Sequence, residues 1–404
     1  MKKVALVCLL VLFGLYSICG AAAKINLGID NVNTYKNLFA GKRVGLITNP
    51  TGVNGNLEST INVLMAADVN LVALYGPEHG VRGNVAAGEY VDGGTDSATG
   101  LPIYSLYGKT RKPTPAMLKN IDVLAIDIQD IGARDYTYIY TMAYAMQAAA
   151  ENNIEFVVFD RPNPLGGVKV EGQLIKPGNE SFIGMYPIAF RHGMTIGELA
   201  RYFNTEFVIN CKLTVIPMTG WTRGMLWPDT GLQWVITSPN IPTFAAALAY
   251  GVTTFVGCGN VSIGVGTTRP FEFIASDWLN ADKLADALNA RNIKGVYFRP
   301  AYFTPFWTAN SGKVMKGVEM HVLDIHTLET VHTGIAIIDT LRKLSNKKYD
   351  FDRSPFTSKG KPEVDTVSGD DTLRNWNWEY NSLMVNWQNE ADAFAVKARK
   401  YYLY

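Results

Sequence analysis

Between Lys42 and about Pro217 the chain alternates short, wholly apolar runs with longer stretches of helical periodicity. The runs are Val44-Gly45-Leu46-Ile47, Leu71-Val72-Ala73-Leu74-Tyr75, Val123-Leu124-Ala125-Ile126 and Phe156-Val157-Val158-Phe159, with Val215-Ile216 a weaker fifth. Runs this continuous predict strands buried on both faces, the habit of a parallel sheet covered by helices. Between them, Thr60–Ala67, Tyr138–Asn152 and Thr195–Asn204 read as helices. Thr195 followed three residues later by Glu198 fits a capping box, which marks the start of the last one. Strand–helix alternation of this kind predicts an α/β, Rossmann-like parallel-sheet N-terminal domain.

The texture changes at Ser238-Pro239-Asn240-Ile241-Pro242, where each proline removes a backbone donor and stops regular structure. Beyond it, Thr253–Val256 and Val318–Leu323 read as strands, and Asp282–Arg291, Ile335–Leu344 and Asn386–Tyr401 as helices. Trp376 and Trp378, two apart, read as one face of an extended segment. The expected division is a Rossmann-like catalytic domain over residues 24–248 and a smaller α+β C-terminal domain over residues 249–404. A chain of 404 residues is long enough for two such domains, each with its own core.

Charge and composition narrow the classes. With 37 Lys+Arg against 36 Asp+Glu, the chain has no electrostatic reason to bind nucleic acid. Residues 1–23 read as an export signal, with Lys2 and Lys3, an apolar run from Val4 to Ile18, and Ala21-Ala22-Ala23 as cleavage site. The expected location is periplasmic or extracellular. No later stretch is long and apolar enough to span a bilayer. Cleavage leaves Cys211 and Cys258, from which no disulfide framework is expected. The sequence specifies no oligomeric state.

In an open parallel sheet, ligands bind beyond the carboxyl ends of the strands. Here those ends carry Thr48-Asn49-Pro50-Thr51-Gly52, Gly76-Pro77-Glu78-His79-Gly80-Val81-Arg82-Gly83, Asp127-Ile128-Gln129-Asp130-Ile131-Gly132-Ala133-Arg134 and Asp160-Arg161-Pro162-Asn163-Pro164. Any one acid reads most simply as a helix cap or a local ion pair. Acids, amides and arginines at every strand end together predict a polar pocket. Glu78 is the sharpest candidate: Pro77 stiffens its approach, Gly76 and Gly80 permit an unusual backbone, and His79 adds a second titratable group. A glutamic acid in a partly dry cleft has its pKa raised and can protonate a leaving oxygen. Glycosidic cleavage needs a second carboxyl group, for which Asp127, Asp130, Asp160 and Glu171 are candidates, or the acetamido group of the sugar itself.

A metal-dependent hydrolase built on His79, His192 and the strand-end acids is a further reading, without any His-x-x-x-His or Cys-x-x-Cys spacing to support it. His321, His326 and His332 read as surface or core residues. Gly264-Val265-Gly266-Thr267-Thr268 lacks the nucleotide-binding fingerprints, and no serine sits in a Gly-x-Ser-x-Gly elbow.

At these motifs the chain resembles the peptidoglycan exo-β-N-acetylmuramidases of the NamZ family. The similarity also takes in Ser238-Pro239-Asn240-Ile241-Pro242-Thr243, Gly266-Thr267-Thr268-Arg269-Pro270-Phe271-Glu272 and the Tyr401-Tyr402-Leu403-Tyr404 end. It implies removal of N-acetylmuramic acid from non-reducing ends of peptidoglycan fragments, with no cofactor and no metal. It makes Glu78 the catalytic acid, with Asp127 and Glu171 as catalytic companions. On the matching motifs, His79, Arg82, Gln129, Asp130, Arg134, Asp160, Asn163, Asn240, Asn260, Thr267 and Arg269 become expected substrate-binding residues. One departure stands out: the family glutamate falls on Gly257 and the family arginine on Val265. An arginine's planar fork suits the lactyl carboxylate of muramic acid. Its loss implies that the substrate differs, that Arg82, Arg134 or Arg269 grips the anion, or that activity is reduced or absent, as in a non-catalytic sugar binder.

Overall fold

The computed structural model describes residues 25–90, 92–351, 357–358 and 360–404; the expected export signal lies outside them. Its larger sheet has seven strands: β1 (Val44–Thr48), β2 (Leu71–Gly76), β3 (Gly94–Thr95), β4 (Pro102–Ser105), β5 (Val123–Asp127), β6 (Glu155–Phe159) and β7 (Lys212–Ile216). They lie in the order β3-β4-β2-β1-β5-β6-β7, parallel except for the antiparallel edge pair β3–β4. The chain moves outward from β1 through β2 to β4, then returns to β5 on the other side of β1. The switch point is therefore at β1, where loops on either side diverge and open a crevice.

The apolar runs occupy the central strands as the pattern predicts, and β1 and β5 are buried at every position. The helix Ile196–Glu206 carries the expected capping box: Thr195 Oγ1 accepts from Glu198 N at 3.2 Å, and Glu198 Oε2 from Thr195 N at 3.1 Å. A second, antiparallel sheet has the order β8-β10-β9, formed by β8 (Phe273–Ser276), β9 (Val296–Phe303) and β10 (Met315–Val322). The helices Ala281–Asn289, Thr330–Leu344 and Tyr380–Ala398 complete this smaller α+β unit.

Two expectations are corrected. Thr253–Val256 is the last turn of the helix Phe244–Gly257 and not a strand. Thr243 caps this helix by accepting from Ala246 N, and Thr253 satisfies its hydroxyl on Ala249 O at 3.0 Å, so its β-branched residues cost little in a buried, alanine-rich segment. Residue 248 lies inside the same helix. One apolar cluster runs from Ile126 and Phe156 of the large sheet through Phe255 to Val318, Ile335 and Trp387, so the two units share a core across this helix. Trp376 is left-handed (φ 55°) at the end of a helical turn and stacks on Trp378, centroids 6.1 Å apart, with Arg342 over both rings. The pair is a packed stack, and no extended face forms. Cys211 and Cys258 are buried free thiols. No helix among the described residues is long and apolar enough to cross a membrane.

Candidate active site

Beyond β2 the chain makes a tight turn closed by Gly80 N donating to Pro77 O at 2.9 Å. His79 takes the third position with φ 71° and Gly80 follows with φ 77°. A left-handed histidine is uncommon, and it is held here by its own ring. Nδ1 lies 2.9 Å from Val85 O; a carbonyl only accepts, so Nδ1 carries a proton and donates. The turn presents Glu78 half-buried at the mouth of a cleft of about 620 Å³. Its Oε2 accepts from Thr137 Oγ1 at 2.8 Å and its Oε1 from Gly88 N at 3.1 Å, and Tyr107 lines the same cleft.

A further part of the cleft lining comes from the loop that follows β5. Asp135, Tyr136 and Thr137 end this loop just before the helix Tyr138–Glu151. Asp135 is 4% exposed; its Oδ2 accepts from Tyr250 Oη at 2.9 Å and Thr254 Oγ1 at 2.8 Å, while Oδ1 has no partner. Tyr250 and Thr254 sit one turn apart on the helix Phe244–Gly257, so one helical face holds the carboxylate. Burial pushes the Asp135 carboxyl up to about 6, with the two hydroxyl donors partly opposing the shift. Burial also raises the Tyr136 and Tyr250 phenols, which keeps both as neutral donors. Asn240, Glu363 and Arg111 are among the other polar residues of the lining.

The other strand-end candidates are turned into the framework beneath. Asp127 pairs with Arg161 (Nε–Oδ1 2.5 Å, Nη2–Oδ2 2.9 Å) and accepts from Thr60 Oγ1. Glu171 pairs with Arg191 at 2.7 Å and accepts from Val331 N at 3.0 Å. Asp160 accepts from Arg161 N, Gly197 N, Thr195 Oγ1 and Tyr404 Oη; burial pushes its carboxyl up to about 7. Asp130 Oδ2 accepts from Gly132 N at 2.7 Å and faces His192 Nε2 at 3.3 Å. Gln129 donates to Asp130 O and Pro162 O, and Asn163 to Met194 O. Arg134 is fully buried, donating to the carbonyls of Gln173, Ile188, Val367 and Ser368.

Towards the surface, Arg82 forks onto Asp96, and Arg269 pairs with Glu272 and Glu319. Thr267 closes a turn on Gly264 O, and Asn260 binds Lys348 O and Asp350 N. At Gly257 an added Cβ would lie 2.6 Å from Ile263 Cδ1, and Val265 packs against the core. Of the expected site residues, the structure brings Glu78, His79 and Asn240 to the cleft lining; the others are not part of it, although Arg134 holds the carbonyl of Val367, which is. Among the described residues no three His, Cys, Asp or Glu come together as a metal site would need.

Sequence reasoning missed Asp135, Tyr136 and Thr137, which directly follow the strand-end segment closing at Arg134, and Tyr107 and Arg111, which follow the short strand β4. An acid immediately after a strand meets the donors of the adjoining loops and is consumed by them. Eight residues further on, the chain has climbed over the rim.

The family description for the N-terminal part of the exo-β-N-acetylmuramidase NamZ matches residues 44–245, and that for its C-terminal part matches residues 248–404. The peptidoglycan β-N-acetylmuramidase NamZ of Bacillus subtilis (strain 168) is 49% identical over 330 residues, 81% of this chain and 80% of that protein. A crystal structure of a DUF1343 family protein from Bacteroides fragilis NCTC 9343 superposes with a TM-score of 0.86 at 45% identity, covering 94% of this chain and 99% of the other. A second DUF1343 protein from the same organism gives a TM-score of 0.74 at 27% identity over 95% and 99% of the two chains. With both family descriptions matched end to end, the chain belongs to the NamZ family of exo-β-N-acetylmuramidases.

Proposed function

We propose that this protein is an exported, exo-acting glycoside hydrolase that releases N-acetylmuramic acid from the non-reducing ends of peptidoglycan fragments, with Glu78 as general acid. The observation that carries the assignment is Glu78 itself, oriented by Thr137 and Gly88 at a cleft that also holds Asp135. In the reaction the C1–O bond breaks with its electron pair going to the leaving oxygen, which takes the proton of Glu78. Water adds its hydroxyl to C1, and its remaining proton restores the acid. Asp135 is the second carboxyl group of this scheme, in place of Asp127 and Glu171. Its unpartnered Oδ1 is a buried acceptor that a substrate donor would satisfy.

The test uses purified protein with 4-nitrophenyl β-N-acetylmuraminide, the corresponding glucosaminide as control, and a chelator throughout. Release of nitrophenol from the muraminide is expected. Release from neither substrate would refute the hydrolase and leave the non-catalytic binder.

A further inference from the structure

A cleft that accepts muramic acid must accommodate its 3-O-lactyl carboxylate, and this cleft is itself acidic. Glu78, Asp135 and Glu363 line it, so its carboxyl groups give an incoming anion no attraction and a cation is needed to hold it. The arginines that the sequence offers for the task are occupied. Arg82 forks onto Asp96 at 2.7 and 2.8 Å, and Arg134 is spent on four backbone carbonyls. Arg269 is shared between Glu272 and Glu319 at 2.9 and 3.3 Å.

Arg111 differs from all three. It is the one lysine or arginine among the described residues that line the cleft. It is exposed, and its guanidinium lies 4.0 Å over the Phe182 ring. Phe182 is buried and wedged between Tyr107 and Tyr144, each with its centroid 6.1 Å away, so the platform under the guanidinium is rigid. Stacking uses the face of the guanidinium and leaves its in-plane N–H fork available for a carboxylate. Tyr107 and Arg111 both lie against Phe182, and all three line the cleft with Glu78.

We infer that Arg111, seated on Phe182, binds the lactyl carboxylate of the terminal muramic acid and thereby sets the preference for muraminides over glucosaminides. The inference rests on the hydrolase reading above and adds to it the residue that recognises the substrate's charge.

The test compares the 4-nitrophenyl muraminide, the same compound with its lactyl carboxyl converted to the N-methylamide, and the glucosaminide. Wild type should favour the carboxylate over the amide. Arg111→Gln should lower kcat/KM on the carboxylate substrate by about 10- to 100-fold, mostly through KM, and collapse the carboxylate-to-amide ratio towards one. Arg111→Lys keeps the charge without the fork and should recover part of the ratio. A purely structural role would lower all three substrates together along with the melting temperature, and would overturn the inference. So would an unchanged ratio in Arg111→Gln. If wild type cleaves none of the three, calorimetric titration with N-acetylmuramic acid and N-acetylglucosamine separates the two claims. A muramic preference lost in Arg111→Gln keeps the anion site without the hydrolase, and no preference in wild type removes both.

Discussion

Replacing Asp127 by asparagine separates a framework acid from a catalytic one. Asp127 is 1% and Arg161 3% exposed, and the guanidinium donates to both carboxylate oxygens. Removing one partner of a buried pair leaves an uncompensated charge, at a cost of about 3–5 kcal/mol. Arg161 keeps one further bond, to Val53 O at 2.6 Å, which favours the lower end of that range. Unfolding entropy of about 2.1 cal/mol/K per residue gives about 0.8 kcal/mol/K for a chain of 404 residues, so the melting temperature should fall by about 4–6 °C. Melting by circular dichroism, with turnover of the muraminide expressed per folded molecule well below the midpoint, reads both quantities. Turnover of the folded protein should stay within about threefold of wild type, since the pair stands outside the cleft lining. A variant that melts like wild type and loses turnover a thousandfold would refute this reasoning and return Asp127 to the catalytic set.

The Asp135 carboxyl is raised in the fold to about 6, so the stability it contributes is full below its unfolded pKa near 4 and is lost as pH rises through about 6. Asp135→Asn should therefore gain stability relative to wild type at pH 8, by on the order of 3 kcal/mol, and gain little at pH 4. Its activity should fall at every pH, and wild-type kcat/KM should rise through an apparent pKa near 6; melting curves and a pH–rate profile check the two halves. Tyr404→Phe removes a donor to Asp160 and an acceptor for Met218 N, both at 2.8 Å, and should cost about 1–3 kcal/mol in urea unfolding without changing KM.

The parallel sheet was legible because burial on both faces leaves wholly apolar runs at β1, β2, β5 and β6. The three-stranded sheet was harder to read. In β9, Tyr297, Arg299 and Tyr302 face solvent while Phe298 and Ala301 face in, and Pro300 sits mid-strand, tolerated because β9 is an edge. Thr253, Thr254 and Val256 have strand propensity that alanine-rich packing on both sides overrides. At the site, Glu78 was legible from the backbone freedom its neighbours imply. Asp135 was hidden because nothing local distinguishes it from Asp127 or Asp130; only the fold shows which acids find donors below the rim and which one faces Tyr250 in the cleft.

The central claim is that Glu78 protonates the leaving oxygen, and the most direct test compares one variant on two leaving groups. A nitrophenolate departs without help, whereas a sugar alcohol needs the proton. Glu78→Gln should therefore lose about 10²–10⁴-fold in kcat on a β-linked N-acetylmuramyl–N-acetylglucosamine disaccharide, lose far less on the nitrophenyl muraminide, and melt like wild type. Equal losses on the two substrates, or no loss on either, would contradict the account.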